Sequence, residues 1–209
     1  MCAVIGYCGD PVSAREAGKL AVLMREGLAR GTHATGWAWS DGTGKIESLK
    51  RIGESAADRA EFLLGAKIVV GHCRYSTSGD WREAGNNQPI CIEGWSLAFN
   101  GVISMSTKEE FERQFQVTCQ SDNDGEVFLR RVERGDDPAS FLRRSGASFA
   151  GCWTNGKTLW ALRNWKRPLW RWRTDAGDWF ASTRDIFERS GLLGSEELRP
   201  ETLFSKTTK

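Results

Sequence analysis

Apolar residues along this chain follow two rhythms, short buried runs and stretches with a three-to-four-residue period, which alternate without a repeat or a low-complexity linker. Residues 3–8 form a continuous run that reads as a buried strand. From Ala14 to Ala29 the apolar positions Ala17, Leu20, Ala21, Met24 and Leu28 recur with the helical period, and Gly31 stops the helix. Residues 36–40 and 45–52 predict a hairpin around Asp41-Gly42-Thr43-Gly44, residues 56–64 a short helix, and 67–71 another buried strand. A strand is expected at 95–99, helices at 107–115, 124–134 and 138–144, and strands at 148–153, 158–163, 169–173 and 179–182. Strands near both ends with helices between them point to two sheets carrying helices on their outer faces. The polar tail from Ser205 is expected to fray, residues 206–209 above all.

Composition narrows the setting. A chain of 209 residues fits one domain, or at most two small ones, and 40% hydrophobic residues with ten Trp supply a substantial core. Residues 1–209 are accordingly read as one domain. The six cysteines (2, 8, 73, 91, 119 and 152) form no Cys-x-x-Cys pair, and no charged-then-apolar leader precedes them. Neither a zinc ribbon nor a secreted disulfide framework is indicated, so a reducing, cytoplasmic location is expected. No apolar run approaches the roughly 20 residues of a membrane helix. A net charge of +2 provides no strong steering toward nucleic acid or anionic membranes.

Four places carry candidate chemistry. Cys2 follows Met1 directly, so removing Met1 would put a thiol and a free α-amine on one residue. Such an amine titrates near pH ~8, low enough to take the thiol proton at neutral pH without a histidine. Arg74, in Gly71-His72-Cys73-Arg74-Tyr75-Ser76-Thr77-Ser78-Gly79, follows a buried strand and offers a bidentate fork for a carboxylate. Asn100-Gly101 ends a predicted strand; it reads either as a tight turn or as an amide and a main-chain N–H converging on an oxyanion. Asp124, before a helical run, reads either as an N-cap or as a carboxylate for an ammonium group.

In order and spacing, Cys2, the 71–79 segment, Phe99-Asn100-Gly101 and Asp124-Gly125-Glu126-Val127 resemble the glutaminase domain of class II (Ntn-type) glutamine amidotransferases, glucosamine-6-phosphate synthase among them. Arg30-Gly31-Thr32-His33-Ala34-Thr35-Gly36 and Asn86-Asn87-Gln88-Pro89 add to the likeness, which covers about residues 2–185. The resemblance implies an α+β fold, a four-layer αββα Ntn-hydrolase sandwich with two mainly antiparallel sheets, forming a single glutamine amidotransferase type-2 domain. It implies Cys2 as nucleophile with its α-amine as base, and Asn100 and Gly101 as oxyanion hole. It further implies Arg74 and Asp124 as holders of the glutamine carboxylate and ammonium, Tyr75, Thr77 and Ser78 as the pocket around them, and Arg30 as a brace behind Cys2. No metal or organic cofactor is implied.

The departures concern the surroundings of that set. His33 stands where the family usually has Asp, Tyr75 where Trp is usual, and Ser78 where glucosamine-6-phosphate synthase usually has His. His72 reads as structural. No phosphate-cradling glycine loop is found, so an acceptor would be bound by a separate synthetase-like partner protein. Two alternatives stand beside this reading, a stand-alone Ntn amidase and a non-catalytic partner-binding module. The aromatic and basic stretch 160–173 fits a single-stranded nucleic-acid platform less well than alternating strands, with Trp165, Trp170 and Trp172 as candidates for a partner-docking face.

Overall fold

A computed structural model describes residues 1–208. The chain runs β1 (Ala3–Gly9), α1 (Ala14–Gly27), β2 (Ala34–Ser40), β3 (Glu47–Ile52), β4 (Ile68–Arg74), β5 (Ile90–Ile92) and β6 (Trp95–Val102). It continues through α2 (Lys108–Phe115), α3 (Gly125–Glu133), α4 (Pro138–Ser145), β7 (Ser148–Thr154), β8 (Thr158–Arg163), β9 (Trp170–Thr174), β10 (Gly177–Ala181), α5 (Arg184–Arg189), β11 (Glu196–Glu197) and β12 (Phe204–Thr207). A seven-stranded sheet has the order β11-β9-β10-β1-β4-β2-β3, and a five-stranded sheet the order β12-β8-β7-β6-β5. The strand pairs are antiparallel.

The period-two alternation of β1 shows how the layers arise. Ala3, Ile5 and Tyr7 face the outer core, which α1 fills with Leu20, Leu23 and Met24 and α5 with Ile186 and Phe187. Val4 and Cys8 face the other way, into the layer between the sheets, with Val70, Ala98, Ala150, Cys152 and Phe180. That layer is built of small residues so that the sheets approach closely. A Cβ at Gly6 would lie 3.0 Å from Cys152 Sγ. On the far side, Phe99, Phe149 and Trp153 of the smaller sheet pack on Phe111 of α2, Phe128 of α3 and Phe141 of α4. The Phe128 ring lies 4.4 Å from that of Phe149. Each fully buried ring or leucine contributes about 1.5–3 kcal/mol, so both outer cores are needed to hold the two sheets face to face. The result is the expected four-layer αββα sandwich.

Several expectations change. Residues 56–64 have helical spacing but form only a 3₁₀ turn at Glu61–Leu63. Side chains of β2 hold the backbone at Ala56 instead: its N–H donates to Thr35 Oγ1 (3.1 Å), and its carbonyl, which a helix would have paired with the Ala60 N–H, accepts from the Trp37 indole (2.7 Å). Asn100-Gly101 is not a turn; β6 runs through both to Val102, pairing with β7. The tail does not fray at 206–207, because β12 adds to β8 as an edge strand with Phe204 opposite Ala161, while residue 209 lies outside the described residues. The short strands β5 and β11 and helix α5 were not anticipated. Among the described residues no helix is long and apolar enough to cross a membrane.

Candidate active site

Cys2 sits at the head of β1, where the β1–β4 register pairs Ala3 with Cys73 and brings the chain beyond Arg74 alongside it. Its Sγ lies 3.4 Å from both the Tyr75 N–H and the Tyr75 carbonyl. Arg30 Nε donates to the Cys2 carbonyl at 2.8 Å. This bracing requires glycine at position 31, where a Cβ would fall 2.4 Å from the Arg74 carbonyl carbon. Burial pushes the Cys2 thiol up; the Tyr75 amide and the positive charges of the chain N-terminus, Arg74 and Arg30 offset part of that rise. Cys73 and Cys152 are fully buried, and burial drives both thiols far above the ordinary range.

Arg74 ends β4 as a buried cation, and among the described residues no carboxylate lies within ion-pair distance of it. Neutral oxygens hold it instead. Its Nη1 donates to the Asn86 carbonyl and to Asn87 Oδ1, both at 2.5 Å, and its Nη2 to Ser76 Oγ and the Gly79 carbonyl, both at 3.1 Å, and to the Ser78 carbonyl. Asp124 is equally buried and has no cationic partner among the described residues. Its Oδ2 accepts from the N–H groups of Ile103 (2.6 Å) and Ser104 (3.0 Å), and its Oδ1 from Ser78 Oγ (2.9 Å). Burial raises its carboxyl, against the pull of those three donors. Ser78 therefore spans two buried, opposite, ionically unpartnered charges, with its carbonyl on Arg74 and its hydroxyl on Asp124. That is the charge pattern of a site for a zwitterion.

On β6, alternation sends Leu97 and Phe99 to the helix side and Ala98 and Asn100 to the face opposite the larger sheet. Asn100 is buried there, and its Nδ2 has no hydrogen-bond partner among the described residues. A buried amide N–H₂ without an acceptor is a standing cost unless something else supplies the acceptor. Gly101 admits no side chain, since a Cβ would lie 1.9 Å from the Ser148 carbonyl oxygen. His72 ties the sheets together through Nε2, 3.1 Å from the Phe99 carbonyl. Burial lowers its pKa to about 3, so the ring is neutral, Nε2 carries the hydrogen and donates, and Nδ1 is left without a partner among the described residues. This agrees with a structural part for His72.

The structure gathers Cys2, Arg30, Arg74, Tyr75, Ser78 and Asp124 through these contacts, and sets Asn100 and Gly101 on the facing strand. Thr77 is not drawn in. It is exposed and makes no hydrogen bond to another described residue. Sequence reasoning assigned nothing to Ser76, Asn86 and Asn87, although all three hold Arg74. Asn86 also receives Asn123 Nδ2 on its carbonyl (2.9 Å) and the Asp122 N–H on its Oδ1 (2.8 Å), tying the Arg74 side of the site to the Asp124 side. The Asn86-Asn87-Gln88-Pro89 motif was the available signal.

No family model matches the chain. It is 30% identical over 145 residues to glutamine–fructose-6-phosphate aminotransferase (isomerizing) of Chlorobaculum tepidum, an alignment covering 64% of this chain and 22% of that enzyme. The chain thus spans about a fifth of that relative's length. Its fold superposes on glutamine phosphoribosylpyrophosphate amidotransferase of B. subtilis with a TM-score of 0.73 at 19% identity, covering 99% of this chain and 49% of that one. A glutamine aminotransferase class-II domain protein of Silicibacter pomeroyi matches with a TM-score of 0.61 at 15% identity, over 99% of this chain and 95% of that one. At these identities the two structures speak for the fold alone. In sequence and in fold the chain thus resembles glutamine amidotransferases, with Cys2 at the head of β1.

Proposed function

We propose that this chain is the glutamine-hydrolysing component of an amidotransferase, releasing ammonia for an acceptor held by a separate partner enzyme. The observation that carries the reading is the pair Arg74 and Asp124, buried, opposite in charge, without ionic partners and bridged by Ser78 beside Cys2. Free glutamine presents the complementary pair. Its α-carboxylate replaces the Ser78 and Gly79 carbonyls on Arg74, its α-ammonium replaces the Ser78 hydroxyl on Asp124, and its side-chain amide extends toward Cys2. Tyr75 and Ser78 wall the pocket.

Burial holds the Cys2 thiol protonated at neutral pH, so the nucleophile needs a base. With Met1 removed, the free α-amine takes the thiol proton and Sγ attacks the amide carbon. Charge develops on the carbonyl oxygen, where the unpartnered Asn100 Nδ2 and the Gly101 N–H receive it. The ammonium form of the α-amine then protonates the leaving nitrogen, which departs as ammonia. Water, deprotonated by the same amine, cleaves the thioester to glutamate and restores the thiol.

Ammonia released into neutral water becomes ammonium and loses its nucleophilicity, which favours discharge into a docked acceptor enzyme. Of the three tryptophans considered for that contact, Trp165 is 76% exposed, whereas Trp170 and Trp172 pack partly against the outer core. Only Trp165 therefore keeps its candidacy as an interface anchor.

The deciding experiment follows glutamate and ammonia release by the chain lacking Met1, the chain retaining it, and Cys2→Ala. Activity is expected only in the first, and full activity from the Met1-bearing chain would sink the amine-as-base mechanism.

A further inference from the structure

Glutamine binding, as read above, must undo part of what holds residues 75–79 in place. Two of the oxygens on Arg74 are the Ser78 and Gly79 carbonyls, and the Ser78 hydroxyl sits on Asp124. A substrate that takes over the two charges releases those contacts. The loop stays ordered only if other anchors persist: Asn86 and Asn87 hold its far end by donating to the Asp80 (3.2 Å) and Trp81 (2.7 Å) carbonyls, and one side chain holds its near end.

His33 precedes β2 with its backbone locked on both sides, its N–H donating to the Arg74 carbonyl (3.0 Å) and its carbonyl accepting from the Gly53 N–H (2.9 Å). Its ring lies between Tyr75 (centroids 4.9 Å, planes 22° apart) and Trp81 (5.2 Å, 24°), so both ends of the loop grip one imidazole. Its Nδ1 lies 3.1 Å from the Ser76 N–H and accepts from it, which puts the ring hydrogen on Nε2. None of these contacts uses an atom that the glutamine carboxylate or ammonium would claim.

We propose, resting on the glutaminase reading, that His33 is the positioning residue for the substrate loop. Through Nδ1 it holds the Ser76 amide, and with it the Tyr75 N–H against Cys2 Sγ, while Ser78 and Gly79 give way to glutamine. The acceptor carries the effect more than the stacking does, because an unanswered, partly buried N–H costs more than a half-exposed ring contact. Aspartate or asparagine also offers an acceptor one bond beyond Cβ–Cγ, so the device depends on that atom's position and not on an imidazole.

Three forms separate the two contributions: wild type, His33→Phe, which keeps a stacking ring without the acceptor, and His33→Asn, whose Oδ1 reaches the place of Nδ1. Glutamine KM is expected to rise about fivefold or more in His33→Phe with kcat within about twofold of wild type, and His33→Asn to restore KM to within about threefold. Amide hydrogen exchange at Ser76 should accelerate in His33→Phe and return toward the wild-type rate in His33→Asn. Equal KM and equal Ser76 protection in all three would overturn the proposal, as would a loss in His33→Asn as large as in His33→Phe. The exchange arm decides the loop anchor even if the wild-type chain proves inert toward glutamine, an outcome that would count against the glutaminase reading alone.

Discussion

Replacing Asp124 with asparagine should separate binding from stability in a way an ordinary buried substitution does not. The amide is nearly isosteric. Its Oδ1 can accept from the Ile103 and Ser104 N–H groups that Oδ2 now serves, and its Nδ2 can face Ser78 Oγ, which accepts as readily as it donates. The charge itself is a cost to the empty protein, since burial raises the carboxyl above its ordinary value. The folded chain therefore holds that proton to higher pH than the unfolded chain. Stability falls as pH rises from the unfolded value through the raised one, and the penalty is fully present above it. Asparagine never incurs the penalty. Asp124→Asn should thus melt no lower than wild type at neutral pH, and its relative advantage should vanish once the solution is acid enough to protonate the carboxyl in both states.

Glutamine binding should respond in the opposite sense. Removing the charge partner of a buried, hydrogen-bonded ammonium typically costs about 2–5 kcal/mol. At 1.4 kcal/mol per decade that raises KM by roughly 30-fold to several-thousandfold. Initial rates of glutamate release across glutamine concentrations, with melting curves at neutral and acid pH, test both halves. An unchanged KM would mean that Asp124 meets no ammonium group and that the substrate is not an amino acid. A higher KM with an equally marked drop in melting temperature would return the effect to a damaged fold.

Two further substitutions extend the contrast. Arg74→Lys keeps the charge but offers three donors to five oxygens, so KM should rise and, with two acceptors unmet at about 1–3 kcal/mol each, Tm should fall by roughly 4 °C or more; wild-type values in both would refute the assignment. Asn100→Ala removes a donor with no acceptor among the described residues, so kcat should drop by ~10²-fold or more while Tm and KM stay near wild type, and an unchanged kcat would remove Asn100 from the oxyanion site.

What could be read from the chain before its structure divides along a physical line. Cys2, Arg74, Asn100-Gly101 and Asp124 could be singled out because each lies at or near the end of an element whose period is visible in the sequence; β1 and α3 appear where those periods place them, while β4 and β6 each run three residues further and take in Arg74 and Asn100-Gly101. Residues 56–64 misled for the converse reason. Their helical spacing reflects burial of Ala56, Ala57, Ala60 and Leu63 under the outer core, while Thr35 and Trp37 claim the backbone groups at Ala56. The tail misled because an edge strand needs only a neighbour with free N–H and carbonyl groups, which β8 supplies whatever the polarity of Ser205 and Lys206.

His33 was visible only as a departure from a pattern, and Ser78 as a pocket residue whose partner the sequence did not name. Their contacts lie 43 and 46 residues away in sequence, and no local rhythm encodes a partner at that distance. The spacing says where a strand ends; only the folded sheets say which loop comes to rest against it. A site whose charged residues sit at the ends of strands and helices and whose closing contacts come from loops will therefore yield its chemistry to sequence reasoning before it yields its specificity. On the proposed reading, the part built on element ends carries the nucleophile and the oxyanion donors, and the loop-borne part decides which zwitterion is admitted.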